Sequence, residues 1–272
     1  MRDVYSKTSR HCSADRMEVS ASTLTAWISA FMWPFARIGA VLSVAPIIGS
    51  RVTPVRIRLM LALMLTWMVQ PLVGPAPAVD PFSAAGVLVI AHQVLVGLAM
   101  GLALQIGFAA LTIGGQILAT SMGLGFASIV DPQHGMQVPL LSQFYFIVGV
   151  LLFFAVGGHL AMIEVLAKSF QTLPIGQSSI SGDVLWGFML WSGIMFSEGL
   201  RVALPVVSAV LLANLAFGVA TRAAPQLNIF AVGFSITLLL GIAAMLFSLW
   251  NVGPVFEGVL RSSFGMMAGL AR

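Results

Sequence analysis

The chain has 272 residues, of which 59% are hydrophobic and only 8% are charged, and its net charge is +4. Because soluble proteins contain about 25% charged residues, this composition excludes an ordinary water-soluble domain and indicates a membrane protein. The thirteen basic residues are scattered, which argues against nucleic-acid binding, and the single cysteine, Cys12, excludes a disulfide framework and a metal–thiolate site.

Residues 1–18 form a charged N-terminal tail. Its seven charged residues are Arg2, Asp3, Lys7, Arg10, Asp15, Arg16 and Glu18. The apolar run begins only at Ala21 and is not followed by a convincing cleavage site, so we do not expect a secretory signal. We expect either a disordered basic arm at the membrane surface or an extension that precedes the true start at Met17.

Six apolar runs follow the tail, separated by charges and by proline and glycine clusters. They cover residues 24–48, 57–72, 82–112, 138–166, 184–214 and 226–250. A helix of roughly 20 apolar residues spans a hydrocarbon core of about 30 Å. We therefore predict an all-α fold, a polytopic membrane protein of about six hydrophobic helices arranged as kinked helical hairpins, with a kink at Pro205.

The third run leads into a glycine-rich segment. Residues 81–130 contain no Asp, Glu, Lys or Arg, and residues 113–137 are rich in glycine and serine. Residues 81–130 are long enough for two membrane passes, or for one pass and a buried re-entrant piece, and the small residues favour the second arrangement. Irregular backbone at membrane depth must be sheltered by protein or line a cavity, so we expect this segment to point inward.

Small residues and tryptophans predict how the helices pack. Gly97 and Gly101 are one turn apart on one helix face, a spacing that allows close helix packing. Four tryptophans lie near the ends of runs, where anchoring at the membrane interface is expected. They are Trp27, Trp33, Trp67 and Trp250.

Arginine and glutamate inside apolar runs are the candidates for buried polar contacts. Arg37 lies in the first run and must face protein, water or carbonyl groups, because a bare guanidinium in lipid is costly. Structural pairing and a polar pathway both remain open for it. Glu198 and Arg201 are three residues apart on one helix face and are expected to pair. Arg222 belongs to the same group of structural polar residues.

Catalytic motifs are absent from the sequence. Asp80 and Asp131 each precede a proline at a loop edge, so they do not form an intramembrane aspartate pair. There is no His-Glu-x-x-His motif, no Gly-x-Ser-x-Gly elbow and no phosphate-binding glycine loop. We therefore expect no enzyme activity and no cofactor or metal, which leaves a scaffold, a channel component or a transporter.

Five motifs in one order resemble the FliR family of flagellar type III export-gate proteins. They are Trp33-Pro34-x-x-Arg37, Met122–Pro132, Gly158-His159-Leu160, Leu173–Gly176 and Arg222–Phe230. The likeness covers about residues 19–250. The chain departs from the family pattern at Ser121, where glutamine is common, at Gly157, where asparagine is frequent, and at Ser235, where proline often stands.

The resemblance implies a non-enzymatic subunit of an export gate in the bacterial inner membrane. Such proteins join FliP and FliQ, with FlhB as a further partner, in a helical assembly through which unfolded flagellar proteins leave the cell. Residues 19–172 are then a FliP-like part and residues 173–255 a FliQ-like part, each built of kinked helical hairpins. Residues 256–272 remain as a C-terminal tail.

The resemblance also implies which residues close the pore. Carried over position by position, the plug of the family corresponds to Met122, Gly123, Leu124, Gly125, Phe126, Ala127, Val130, Asp131 and Pro132. Glycines permit turns, and the apolar side chains offer a soft seal. The alternative is that these side chains simply pack between helices. Subunit assembly is assigned to Pro225, Gln226, Leu227 and Asn228.

Two other functions stay open at this stage. A virulence-injectisome gate subunit would share the architecture, although the motifs at 122–132 and 222–230 are closer to the flagellar version. A secondary transporter is the alternative from another class, and it would transport substrate as an isolated chain.

Overall fold

The computed structural model describes residues 21–50, 52–74, 77, 79–81, 83–124, 140–176, 181–223 and 229–270. Within these ranges it contains eight α-helices, one 3-10 helix at Gln70–Leu72 and no strand. The helices are α1 (Ala21–Val44), α2 (Val55–Val69), α3 (Ala84–Ser121), α4 (Leu140–Ala155), α5 (Gly158–Thr172), α6 (Gly182–Ser192), α7 (Ile194–Ala223) and α8 (Ile229–Gly269). The predicted all-α fold is confirmed.

The long helix α3 is the centre of the molecule. Ser83 caps its N-terminus, since its Oγ accepts a hydrogen bond of 3.1 Å from the Gly86 N–H. With 38 residues it is about 57 Å long. It packs against α1, α4, α7 and α8, so most of the fold is organised around this one helix.

Two hydrophobic cores lie one after the other along α3. The first joins the N-terminal half of α3 to α1, α2 and α5, and Trp33 and Leu104 are buried in it. The second joins the C-terminal half of α3 to α4, α7 and α8. Its centre is Phe108, whose ring stands edge-on to Phe153 and Phe256 at centroid distances of 5.6 and 5.2 Å. Because α3 contributes to both cores, it fixes their relative position.

Five helical stretches of the described chain are long and apolar enough to cross a membrane. They are Trp27–Val44, Val55–Leu72, Ala84–Ser121, Gly182–Ala220 and Gly233–Gly269. A sixth arises if α4 and α5 count as one broken span, since they are bent by 69°. Gly157 at this bend has a φ of 76°, a left-handed conformation that favours glycine. The molecule is therefore a multi-pass membrane protein of about six hydrophobic segments, as predicted.

The last helix corrects the predicted C-terminal boundary. Residues 226–250 are predicted as the final run and residues 256–272 as a tail, but α8 continues to Gly269. Glu257 and Arg261 form an ion pair of 2.8 Å on the exposed side of this helix. Phe256, on another face, is fully buried in the second core. The charges that suggest a tail therefore occupy one face of an amphipathic helix, and the tail prediction is corrected for residues 256–269.

One of the four tryptophans is not at the surface. Trp27, Trp67 and Trp250 are exposed, whereas Trp33 is completely buried in the first core. The expectation of an interfacial position is wrong for Trp33, because it lies one turn before Arg37 on the face of α1 that packs against the core.

Candidate functional site

Glycines mark the crossings between α3 and its neighbours. Gly97 and Gly101 lie against α1, Gly107 against α8, Gly114 against α7, and Gly115 against α4. At Gly115, for example, an added Cβ would lie 2.7 Å from the Cα of Ser142. Backbones approach this closely only where one helix carries no side chain, so the glycines of α3 set the spacing of the bundle.

The helices α1 and α3 approach each other closely in the first core. A Cβ added at Gly97 would collide with the carbonyl oxygen of Arg37 and would lie 2.7 Å from the Cβ of Ala40. One turn later, a Cβ at Gly101 would lie 3.0 Å from the carbonyl oxygen of Val41. The two glycines therefore hold α3 against the stretch of α1 that carries Arg37.

Arg37 is completely buried and its guanidinium group is held by neutral partners. Its Nε donates to Oε1 of Gln93 on α3 at 2.7 Å. Its Nη1 donates to the carbonyl oxygen of Ser169 at 2.9 Å and to the Ser169 Oγ at 3.2 Å. Its Nη2 donates to the carbonyl oxygen of Leu173 at 2.9 Å. One side chain thereby joins α1 to α3 and to the end of α5.

The position of these carbonyl groups explains how the fold accepts a buried cation. Ser169 lies in the last turn of α5 and Leu173 directly follows the helix. Unpaired carbonyl groups and the negative end of the helix dipole are found there, and both favour a positive charge. The guanidinium also lies 4.4 Å from the ring centroid of Phe170, which adds a cation–π contact. Arg37 therefore caps the C-terminus of α5 at the start of the polar connection 173–183.

The predicted pore-closing segment begins where α3 ends. Met122 follows the helix and is 1% exposed, and its N–H donates to the Leu118 carbonyl at 3.0 Å. Gly123 has a φ of 79°, so the chain leaves the helix there in a left-handed conformation. Leu124 is half-buried beside the second core. The remaining predicted residues, Gly125, Phe126, Ala127, Val130, Asp131 and Pro132, lie outside the described residues.

The other predicted polar residues lie on α7. The Glu198 Oε2 is 3.5 Å from the Arg201 Nη1, and 68% of the Arg201 side chain is exposed. Both residues line a cavity of about 300 Å³ between α7 and α8, next to Pro254 and Gly258. Arg222 lies in the last turn of α7, but its side chain is outside the described part of the chain. Pro225, Gln226, Leu227 and Asn228 are outside it as well.

Sequence reasoning misses most of the contact partners. Gln93, Ser169 and Phe170 around Arg37 are far from it in the chain and have no shared motif. For Gln93 the only signal is an uncharged polar side chain in an apolar run, which favours an interhelical hydrogen bond. Within the described ranges, no group of three or more His, Cys, Asp or Glu side chains is placed to hold a metal ion.

Comparisons with known proteins place the chain in a family. The family model for bacterial export proteins, family 1, matches residues 28–263. Flagellar biosynthetic protein FliR of Pectobacterium carotovorum is 38% identical over 244 residues, which are 90% of this chain and 93% of that protein. The FliR protein of Escherichia coli K12 is 35% identical over 254 residues, 93% of this chain and 97% of that protein.

A more distant relative is matched over a similar length. The FliR protein of Bacillus subtilis is 28% identical over 244 residues, which cover 89% of this chain and 94% of that protein. The matched length includes Arg37, the glycines of α3 and the segment that follows them. The chain therefore belongs to the bacterial export proteins of family 1, as a member of the FliR family of flagellar biosynthetic proteins.

Proposed function

We propose that this chain is a subunit of the flagellar type III export gate, and that it forms the export pore in the inner membrane together with FliP and FliQ and with FlhB as a further partner. The observation that carries this proposal is the family match over residues 28–263. In this role the chain is a non-enzymatic component through which unfolded flagellar proteins pass. It is required for flagellum assembly.

The apolar surface of α6 and α7 supports a multi-subunit assembly. Together these helices form an apolar stretch of 39 residues, which corresponds to about 58 Å. Exposed large apolar side chains run from Leu185 near one end to Val219 near the other. Because the hydrocarbon core of a bilayer is only about 30 Å thick, lipid cannot cover all of this surface when the helices stand upright. Apolar helices of other subunits would cover the remainder.

Purification of the complex tests the assembly. A tagged version of the full chain, produced together with the other flagellar export proteins, is expected to copurify with FliP and FliQ from detergent-solubilised membranes. Deletion of the gene is expected to abolish swimming, and the full chain is expected to restore it. If the chain purifies alone and transports a small substrate in vesicles, the gate proposal is wrong and the transporter alternative is correct.

The segment that begins at Met122 is proposed to be the plug of this pore. The described part of the segment is apolar, and Met122 and Leu124 lie in or beside the second core. Gly123 between them adopts a backbone conformation that other residues resist. A soft apolar segment on a glycine turn can seal a narrow conduit by excluding water and can rearrange when a chain passes.

Replacement of Gly123 by aspartate is expected to open this seal. An added Cβ would lie 2.9 Å from the Cε2 of Phe234, and the left-handed backbone costs a non-glycine residue about 1–2 kcal/mol. Since about 1.4 kcal/mol changes an equilibrium tenfold, we expect the leak of potassium ions to rise about tenfold or more, or export to fall by a similar factor. Potassium efflux and swimming motility measure the two effects.

A second glycine provides the matched control. Gly157 has nearly the same φ, 76°, but an added Cβ there meets nothing within 4 Å. The Gly157→Asp variant therefore carries similar backbone strain without the collision and lies away from the proposed plug. Normal motility and normal potassium retention in Gly123→Asp would contradict the plug proposal. A leak of the same size in both variants would also contradict it, because the effect would then come from backbone strain alone.

A further inference from the structure

The cavity between α7 and α8 carries two opposite charges on its α7 wall, those of Glu198 and Arg201. The Arg201 Nη1 lies 3.5 Å from the Glu198 Oε2, which is longer than a hydrogen bond. Because a guanidinium has several donors and a carboxylate several acceptor sites, this loose pair leaves both groups able to bind a further partner. The rest of the lining carries no charged side chain and consists of Ile194, Pro254, Val255, Gly258 and Val259.

The α8 wall leaves room opposite these charges. Pro254 and Gly258 lie one turn apart on α8, and a Cβ added at Gly258 would meet nothing within 4 Å. The cavity reaches the surface at Arg201, whose side chain is 68% exposed. Its volume of about 300 Å³ is at the lower end of ligand pockets, which suits one small polar group that carries both charges.

The charges of α7 place the cavity at one edge of the hydrocarbon core. Residues 202–221 contain no Asp, Glu, Lys or Arg, and they are bounded by Arg201 on one side and Arg222 on the other. In helical form this uncharged stretch is about 30 Å long, which is the thickness of the hydrocarbon core. Glu198 and Arg201 then lie at the level of the lipid headgroups, where charged side chains are stable.

The charges of α8 indicate the same level. Residues 229–256 are uncharged, and Glu257 and Arg261 follow them. Trp250, one turn before Pro254, is 89% exposed, and exposed tryptophans are typical of the membrane interface. Since Pro254 lines the cavity, both of its walls reach the headgroup region at the same point.

Apolar side chains continue from the cavity towards the hydrocarbon core. Leu204 follows Arg201 by one turn of α7, and Phe247 precedes Pro254 by two turns of α8. Both side chains are exposed. A molecule whose polar end occupied the cavity would therefore find an apolar surface along which acyl chains can lie.

We propose that this cavity binds the headgroup of a phospholipid that carries a phosphate and a primary ammonium group, as in phosphatidylethanolamine. Arg201 would donate to the phosphate, and Glu198 would accept from the ammonium group. A headgroup with a net negative charge would be repelled by Glu198, and a choline headgroup has no N–H to donate to it. This inference goes beyond the proposed function and does not rest on it.

Native mass spectrometry of the purified full chain measures the binding, with phosphatidylethanolamine, phosphatidylcholine and phosphatidylglycerol of the same acyl chains as probes. The wild type is expected to bind phosphatidylethanolamine about tenfold or more tightly than the other two. Arg201→Met removes the phosphate donor and Gly258→Leu fills the cavity, so each is expected to weaken this binding about tenfold or more. Glu198→Gln removes the repulsion and is expected to bring phosphatidylglycerol to within about threefold of phosphatidylethanolamine.

Two variants outside the lining are the matched controls. Arg261→Met removes an exposed arginine of the same headgroup level, and Gly253→Leu enlarges a glycine of α8 where an added Cβ meets nothing within 4 Å. Both are expected to bind phosphatidylethanolamine to within about twofold of the wild type. Arg201→Met alters an exposed side chain and keeps the test valid if Gly258→Leu fails to fold.

Three results with the purified chain would overturn the proposal. Equal binding of phosphatidylethanolamine by Arg201→Met and Arg261→Met would show that lipid binds around the whole chain and not in the cavity. Equal binding of phosphatidylglycerol and phosphatidylethanolamine by the wild type would show that Glu198 does not select the headgroup. Competition by soluble phosphoethanolamine at the concentration of the lipid would show that the acyl chains take no part.

The same measurement on the chain bound to FliP and FliQ separates lipid from protein as the occupant. The complex is expected to retain phosphatidylethanolamine, and Arg201→Met is expected to lose it. Absence of this lipid from the wild-type complex would show that a partner subunit fills the cavity, and the lipid proposal would be wrong. Failure of the chain to copurify with FliP and FliQ would contradict the gate proposal and would leave the binding measured with the purified chain unchanged.

Discussion

Replacement of Arg37 by methionine is expected to destabilise the protein by about 2–4 kcal/mol. The substitution keeps an unbranched side chain, although a shorter one, and removes the three nitrogen donors that Arg37 supplies to Gln93, Ser169 and Leu173. A buried acceptor without a donor costs about 1–3 kcal/mol. The total stays below the sum for three acceptors, because the Ser169 carbonyl also accepts from the Leu173 N–H at 3.0 Å.

The loss of a buried charge acts in the opposite direction. Removal of a guanidinium from a low-dielectric core relieves a desolvation penalty, and exchange of a complete buried ion pair for apolar residues is often neutral. Here only one side of the contact is exchanged, so the Gln93 Oε1 and the Leu173 carbonyl lose the Arg37 donors, and the Ser169 carbonyl keeps only the Leu173 N–H. We therefore expect the unsatisfied acceptors to outweigh the relief, and Arg37→Met to destabilise the protein.

Thermal unfolding of the purified chain in detergent measures this effect, with Arg201→Met as the control. Arg201 is an arginine of another apolar helix, but it is 68% exposed and its ion pair is 3.5 Å long. Such a pair contributes at most about 1 kcal/mol. Arg37→Lys is expected to fall between the two, since one ammonium nitrogen cannot replace three guanidinium nitrogens. Equal stability of Arg37→Met and Arg201→Met would show that the buried network does not stabilise the fold.

The sequence predicts the membrane class and the helical architecture because both depend on local patterns. Long apolar runs require helices in lipid, whatever their neighbours are. The positions where helices bend or end depend on more than the hydropathy of an apolar run. Residues 138–166 look continuous, but the chain bends at Gly157, and the backbone conformation of one glycine is not visible in hydropathy. Near the C-terminus, α8 continues past residue 250 although the chain there carries Glu257 and Arg261. These charges lie on one exposed face, so they do not end the helix.

The candidate site is less predictable because its partners are distant in the chain. Arg37 stands out as a charge in an apolar run, yet its partner Ser169 is 132 residues away and looks like any other serine. The same holds for Gly241, which resembles many glycines in apolar helices until Met122 is placed against it. A single sequence shows which residues are unusual in their run. It does not show which residues they meet.

Gly97→Ala is expected to destabilise the protein by about 3 kcal/mol or more, although it adds a single methyl group. Overpacking of a core typically costs about 1–3 kcal/mol when side chains can move. Here the methyl group collides with the backbone carbonyl of Arg37, so neither a rotamer change nor a small shift relieves it. The helices α1 and α3 must therefore separate. The other close contacts along their interface, including the one at Gly101, are then lost together with the contact at Gly97.

A glycine on the partner helix gives a control with the opposite sign. Gly39 lies on α1, and an added Cβ there meets nothing within 4 Å. Since alanine is favoured over glycine inside a helix by roughly 0.5–1 kcal/mol, Gly39→Ala is expected to stabilise the protein by about that amount. Thermal unfolding of the two variants compares the same chemical change inside the α1–α3 interface, at Gly97, and outside it, at Gly39. A stability loss of similar size in both would show that the close approach at Gly97 is not what matters.

The variants at Gly97 and Arg37 are also expected to be coupled. Separation of α1 from α3 moves the guanidinium away from Gln93, so Gly97→Ala already weakens the network that Arg37→Met removes. The double variant should therefore lose less stability than the sum of the two single losses, with a coupling within the range of about 0.5–3 kcal/mol found for residues in contact. If the two stability losses were strictly additive, the spacing between α1 and α3 and the contacts of Arg37 with the end of α5 would be independent of each other. In that case the tight crossing would serve packing alone and would not hold Arg37 in place.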